Sequence, residues 1–178
     1  MAVIREHQRT LNLLGALALG LSDRFQSAVE ASTGHGGETP AALVTLGMEP
    51  GISINTLRQI LKLSHPGTVR LIDRLEKDGF VERRAGADGR TLALFLTEAG
   101  QQRRKEILAQ RRQQLQLALD CLTEQEQQQL TTLVEKMLTA ITTDETQSDV
   151  ICRLCEIEVC PQACCPVGQQ HLQYVAKA

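Results

Sequence analysis

Residues 53–97 read SINTLRQILKLSHPGTVRLIDRLEKDGFVERRAGADGRTLALFLT. Ser53 is a good helix N-cap, because its hydroxyl can accept from an otherwise unpaired backbone N–H. Leu57, Ile60 and Leu61 follow at helical spacing, so one face of this first helix is expected to be buried. Lys62-Leu63-Ser64 reads as a turn. Ser64 or His65 then caps a second helix, and Pro66 fits its first turn, where a missing N–H costs little.

On a helical wheel, Thr68, Leu71, Ile72 and Leu75 gather on one side. Pro66, Gly67, Arg70, Arg74 and Lys77 gather on the other. The second face is cationic, with small residues at its N-terminal end that let the backbone approach a groove floor. Gly79 is expected to stop the helix as a C′ residue. Two runs of strand composition come next, Phe80–Arg84 and Thr91–Leu96, around a loop whose Asp88-Gly89 is a turn signal. Arg83, Arg84 and Arg90 ring this hairpin. The order is a helix-turn-helix followed by a β-hairpin wing, in a chain that is otherwise mainly α. The residues expected to meet duplex DNA are Ser64, His65, Gly67, Thr68, Arg70, Arg74, Arg84, Asp88 and Arg90.

Composition sets bounds on this reading. The net charge is −2, which argues against an indiscriminate polyanion binder. The charge is unevenly spread, however. Residues 51–91 hold 8 Lys/Arg against 5 Asp/Glu, whereas residues 92–149 hold 6 against 9. Positive charge confined to one reader is what a DNA-facing surface requires. Aromatic residues make up 2% of the chain and Trp is absent, so base-stacking recognition of single strands is disfavoured. No Ser/His/Asp set, phosphate-binding Gly loop or paired-carboxylate site stands out, and no enzyme is expected. The apolar stretch Leu11–Leu21 is too short to span a bilayer and lacks a suitable cleavage site, so a cytoplasmic protein is the default.

The run LEKDGFVERRAGADGRTLALFLTEAG, residues 75–100, resembles the MarR-type winged-helix transcription regulators. In that family a helix ends in L-x-x-x-G-[LF]-[VI]-x-R, a wing carries D-x-R, and L-T-x-x-G follows. Leu75, Gly79, Phe80, Val81, Arg83, Asp88, Arg90, Leu96, Thr97 and Gly100 match in place. The resemblance implies that Asp88 orients Arg90, which would enter a minor groove. It also implies a homodimer on roughly palindromic double-stranded DNA, usually as a repressor, with a small-molecule or redox effector. The family usually places a charged or polar residue straight after the wing Arg, where this chain has Thr91.

Outside the reader, residues 5–31 read as one helix. Leu11, Leu14, Ala18, Leu21, Phe25 and Ala28 form a heptad-like seam, widened by Leu13, Leu17 and Val29. A helix apolar on more than one face needs two partners, its own core and a second subunit. Ser32–Glu38 reads as a loop with His35 exposed. Thr39-Pro40 reads as an N-cap followed by Pro at N1, opening a short helix through Met48. Thr97 should cap a long helix to about Cys121 whose basic runs, Arg103-Arg104-Lys105 and Arg111-Arg112, read as solvated surface. Thr123–Glu126 reads as a capping box opening a helix with Leu130, Leu133, Val134, Met137, Leu138 and Ile141 on its apolar side. Cys121 reads as a small buried hydrophobe. The expected organisation is a dimerisation helix (1–36), the winged helix-turn-helix (37–100), dimerisation helices (101–143) and a cysteine-rich tail (144–178) entered through a polar linker at 142–149.

In that tail, residues 152–166 read CRLCEIEVCPQACCP and hold five of the six cysteines. Cys152, Cys155, Cys160 and Cys165 follow a C-x2-C-x4-C-x4-C spacing, that of a zinc knuckle with Cys in place of its His. Clustered thiols in a chain of this kind point to metal or redox chemistry rather than a structural disulfide framework. Four thiolates suit tetrahedral zinc and equally an iron–sulfur cluster. Thiol–disulfide switching, a structural zinc staple and an inert tail all stay open. Cys164 is a spare thiol and His171 a further candidate ligand.

Overall fold

The computed structural model describes the backbone of residues 2–86, 91–160 and 163–175, and side chains from residue 5 to residue 174 within these. Asp88 and Arg90, the expected wing-tip pair, lie outside the described residues. Eight helices and one hairpin are seen among the described residues: α1 (Ala2–Thr33), α2 (Thr39–Met48), α3 (Ile54–Leu61), α4 (His65–Lys77), β1 (Val81–Ala85), β2 (Leu92–Leu96), α5 (Glu98–Leu119), α6 (Glu124–Ile141), α7 (Glu145–Cys152) and α8 (Pro166–Val175). The fold is mainly α with one antiparallel hairpin, in which Val81 faces Leu96 and Ala85 faces Leu92.

The helix starts follow one local rule. Ser53, Ser64, Thr97 and Thr123 each accept through the side-chain hydroxyl from the backbone N–H three residues on. Thr123 and Glu126 close the expected capping box. Helix α4 ends in a Schellman motif. Gly79 adopts φ +77, its N–H bonds Glu76 O at 3.0 Å, and Phe80 N–H bonds Leu75 O at 2.9 Å. Between α3 and α4, Lys62 takes a left-handed conformation and turns the chain at the expected place.

The core lies where α2, α3, α4, the hairpin and α5 meet. Leu43, Val44, Leu46, Leu57, Ile72, Leu75 and Leu94 are fully buried in it, and Val81 and Ile107 almost so. Helix α2 is buried along nearly its whole length, so it braces the reader from behind. Only the C-terminal end of α1 joins this core, through Phe25 and Val29. Its N-terminal half leaves Leu11, Leu13, Leu14, Leu17 and Leu19 exposed.

Several expectations need correction, and most fail for one reason: tertiary partners capture polar groups. Thr39 is not the cap of α2. Glu38 holds that position, and the Thr39 hydroxyl is buried, accepting from Arg74 at 2.9 Å. His35 is half-buried, with Nε2 3.1 Å from Asp78 and its ring edge-on to Phe80. The basic runs of α5 are not simply solvated. Arg103 lies over the Phe80 ring and donates to Thr33 O, Arg104 is buried and pairs with Glu158, and Arg112 pairs with Glu156. Cys121 is exposed. The linker is shorter than expected, because Asp144 caps α7 through Gln147 N–H and the helix starts at once.

Candidate nucleic-acid interface

Two neighbouring surfaces carry chemistry, the outward face of α4 with the hairpin and the tail behind α3. On α4, burial of Leu71, Ile72 and Leu75 fixes the rotation of the helix. Ser64, His65, Pro66, Arg70, Arg74 and Lys77 are thereby exposed and Gly67 is half-exposed. Thr68 does not belong to this face. It is fully buried and its hydroxyl donates back to Ser64 O at 3.1 Å, so it fixes the first turn of the helix.

The arginines divide by what already holds them. Arg74 donates to Thr39. Arg83, with a side chain 19% exposed, pairs with Asp73 at 2.6 Å and with Glu76, tying β1 to α4. Arg84 pairs with Glu82 and lies 4.7 Å from the centre of the Phe95 ring. Arg70, Lys62 and Lys77 make no ion pair among the described residues and stand in solvent on the reader. Lys62 carried no signal as a presented cation in the sequence; its place follows from the left-handed turn.

Residues 38–91 match the MarR family. The matched residues hold the capped helix-turn-helix, the Gly-stopped second helix and the first strand of the wing. These residues are a MarR-family domain. The HTH-type transcriptional repressor MdtR of Bacillus subtilis (strain 168) is 27% identical over 132 residues, covering 72% of this chain and 85% of that protein. A probable transcriptional regulator from Pseudomonas aeruginosa is 28% identical with a TM-score of 0.54, covering 69% of this chain and 95% of that one. A MarR family protein from Bacillus stearothermophilus shares the fold with a TM-score of 0.71 at 22% identity, over 78% of this chain and 97% of that one. The winged helix of this chain is thus similar to those of MarR-family regulators.

Behind this MarR reader sits the tail. Helix α7 packs on α3, and α8 packs on α6 and α7. Val150 and Val167 are buried there. Between tail and reader lies a cavity of about 350 Å3. Thr45, Met48 and Glu49 of the α2 end and Ile60 of α3 form one wall. Cys152, Cys155, Cys160 and Cys165 line the other with Val167, Gly168 and His171. The structure therefore brings together all four cysteines singled out by spacing. Their thiols are free, and among the described residues no three His, Cys, Asp or Glu side chains converge on an ion-sized point.

The thiols interact in pairs. The Cys152 thiol is pushed far above the usual range by its hydrogen bond to Cys155 and by burial. That hydrogen bond, assisted by Arg111, brings Cys155 down to about 6 against the opposing effect of burial. Burial and a hydrogen bond with Cys165 raise Cys160 to about 11. His171 accepts or donates at 2.8 Å to the Ser148 hydroxyl and lies 3.9 Å from Asp149. Burial raises the carboxyls of both Asp149 and Glu49. No helix among the described residues is long and apolar enough to cross a membrane.

Proposed function

We propose that the chain is a homodimeric, sequence-specific repressor of transcription that binds double-stranded, roughly palindromic DNA in the cytoplasm, and whose cysteine-rich tail binds a metal centre or senses redox state. The observation that carries the DNA reading is Arg70. It projects from the first two turns of α4, beside half-exposed Gly67 and exposed His65, while Arg74, Arg83 and Arg84 are held by protein partners. A cation presented at a recognition helix N-terminus, next to small residues, reaches base edges or phosphates in a major groove.

Support for a dimer comes from apolar surface. Leu11, Leu14 and Leu17 of α1 and Leu133, Met137 and Ile141 of α6 are 40–57% exposed, more than a solitary chain ordinarily leaves along two helices. A two-fold axis through these helices would present two copies of α4 about 34 Å apart, one DNA turn. Asp88 and Arg90 complete the interface as the wing-tip pair that the family resemblance assigns.

Fluorescence anisotropy with DNA from upstream of its own coding region tests this. Arg70→Ala should weaken binding by roughly tenfold or more, equivalent to about 1–3 kcal/mol. Arg83→Ala, which removes an internal tie, should leave the salt dependence of binding unchanged. If Arg70→Ala binds as the parent does, the interface is misassigned.

A further inference from the structure

We propose that the cavity between tail and reader is the site of an iron–sulfur cluster ligated by Cys152, Cys155, Cys160 and Cys165. The proposal rests on the reading of the tail as a metal or redox centre and names the centre. Single zinc and an iron–sulfur cluster make different geometric demands. A zinc ion draws four sulfurs to about 2.3 Å from one point and leaves no void between them. Here four thiols line one wall of a cavity of about 350 Å3, and no three donors among the described residues converge on a point. A water molecule's share of liquid is about 30 Å3, so the space exceeds an ion many times over and admits a polyatomic ligand.

The walls suit such a ligand. Met48, Ile60, Ile157 and Val167 supply apolar lining beside Thr45, Glu49, Ser148, Asp149 and His171, and the apolar part of such a shell is one of the levers that set cluster potentials. The ligand positions are also built. Cys152 ends α7, and the next turn returns Cys155 N–H to Cys152 O at 2.7 Å, placing both thiols at one mouth of the cavity. Cys165 directly precedes Pro166 at the start of α8 and accepts Gln169 N–H at 2.9 Å. The loop between the ligand pairs is clamped from outside, with Arg104 3.1 Å from Glu158 and Arg112 3.3 Å from Glu156.

The opposite wall gives the site a consequence. Ile60 belongs to α3 and Thr45 and Met48 to α2, the two elements that seat α4. Occupancy of the cavity changes what α3 packs against, so cluster loss should change DNA affinity.

The test is full-length protein isolated without oxygen, assayed for iron, zinc and acid-labile sulfide, with a visible spectrum. The expected result is iron and sulfide in equal amounts with visible absorbance. Both should be lost in Cys155→Ala and Cys165→Ala and kept in Cys121→Ala and Cys164→Ala. Zinc without sulfide overturns the cluster and leaves a metal-binding tail. Neither metal nor sulfide overturns the cluster and the metal reading together. Loss of the cluster in Cys164→Ala overturns the ligand assignment. DNA affinity measured before and after oxidative loss of the cluster should differ by several-fold, and equal affinity refutes the link through α3.

Discussion

Gly100 sits in the first turn of α5, in the last position of the L-T-x-x-G run, and its replacement by alanine measures how tightly the wing is fastened to α5. A Cβ built there would lie 2.0 Å from Phe80 O, a backbone atom, and 3.3 Å from Leu96 Cβ. Phe80 O is held by Thr97 N–H at 3.0 Å, and the neighbouring Gly79 O by the Thr97 hydroxyl at 2.6 Å. Relief requires the turn to withdraw from α5 by about 1 Å, which breaks or stretches both bonds. At about 1 kcal/mol each, with about 1–3 kcal/mol for overpacking, the gross cost is about 3–5 kcal/mol. Alanine in place of glycine returns about 1 kcal/mol of helix propensity. Gly100→Ala should therefore lose about 2–4 kcal/mol. Urea unfolding followed by far-UV circular dichroism reads this as a midpoint lower by about 1–2 M. Ala99→Gly, at an exposed neighbour, reports propensity alone and should lose about 1 kcal/mol. A Gly100→Ala midpoint at or above that of the parent refutes the close approach as the reason for glycine.

Two further outcomes follow from exposed and buried groups elsewhere. Leu17→Glu places charge in the centre of the exposed α1 stripe, where Leu17 is 52% exposed; light scattering should show the proposed dimer for the parent and a monomer for the variant, and an unchanged mass would remove α1 from the interface. Glu49 has its carboxyl raised by burial first and by Asp149 second, with His171 opposing. A raised carboxyl binds its proton more tightly when folded, so ionising it costs stability as pH rises through the folded value. Glu49→Gln should therefore melt higher than the parent near neutrality, and the gain should vanish below the ordinary value of 4.5. A gain that persists in acid would point to a cause other than charge.

What the sequence made legible was local. Ser53, Ser64, Thr97 and Thr123 announce their helices because a hydroxyl three residues before a free N–H is a short-range arrangement. Gly79 announces a stop for the same reason. The faces of α3 and α4 were legible from spacing, since Leu57, Ile60, Leu71 and Leu75 repeat with the helical period. The fates of Arg83, Arg104 and His35 were not. Each depends on a partner brought close only by folding, namely Asp73, Glu158 and Asp78. Helix α7 was hidden in a polar run because its buried residues, Ser148 and Val150, find cover on another part of the chain.

The tail also bears on how a signal would reach DNA at all. A ligand shifts a conformational equilibrium only by its difference in affinity for the two states. A centre bound wholly within residues 152–166 would have no such difference, because the tail alone would hold it. Here Ile60, Thr45 and Met48 stand across the cavity from the four cysteines, so the proposed centre would touch reader and tail together. The ion pairs from α5 to Glu156 and Glu158 keep the tail seated from the other side. A rearrangement of the cysteine loop therefore has two outlets, release of these pairs or movement of α3. Arg104→Ala should separate them. Removing the buried guanidinium loosens the loop from α5 while leaving the cavity wall on α3 intact. Affinity for DNA in the Arg104→Ala protein should then depend less on whether the thiols carry a metal centre. An unchanged dependence would place the coupling entirely in the contact with α3.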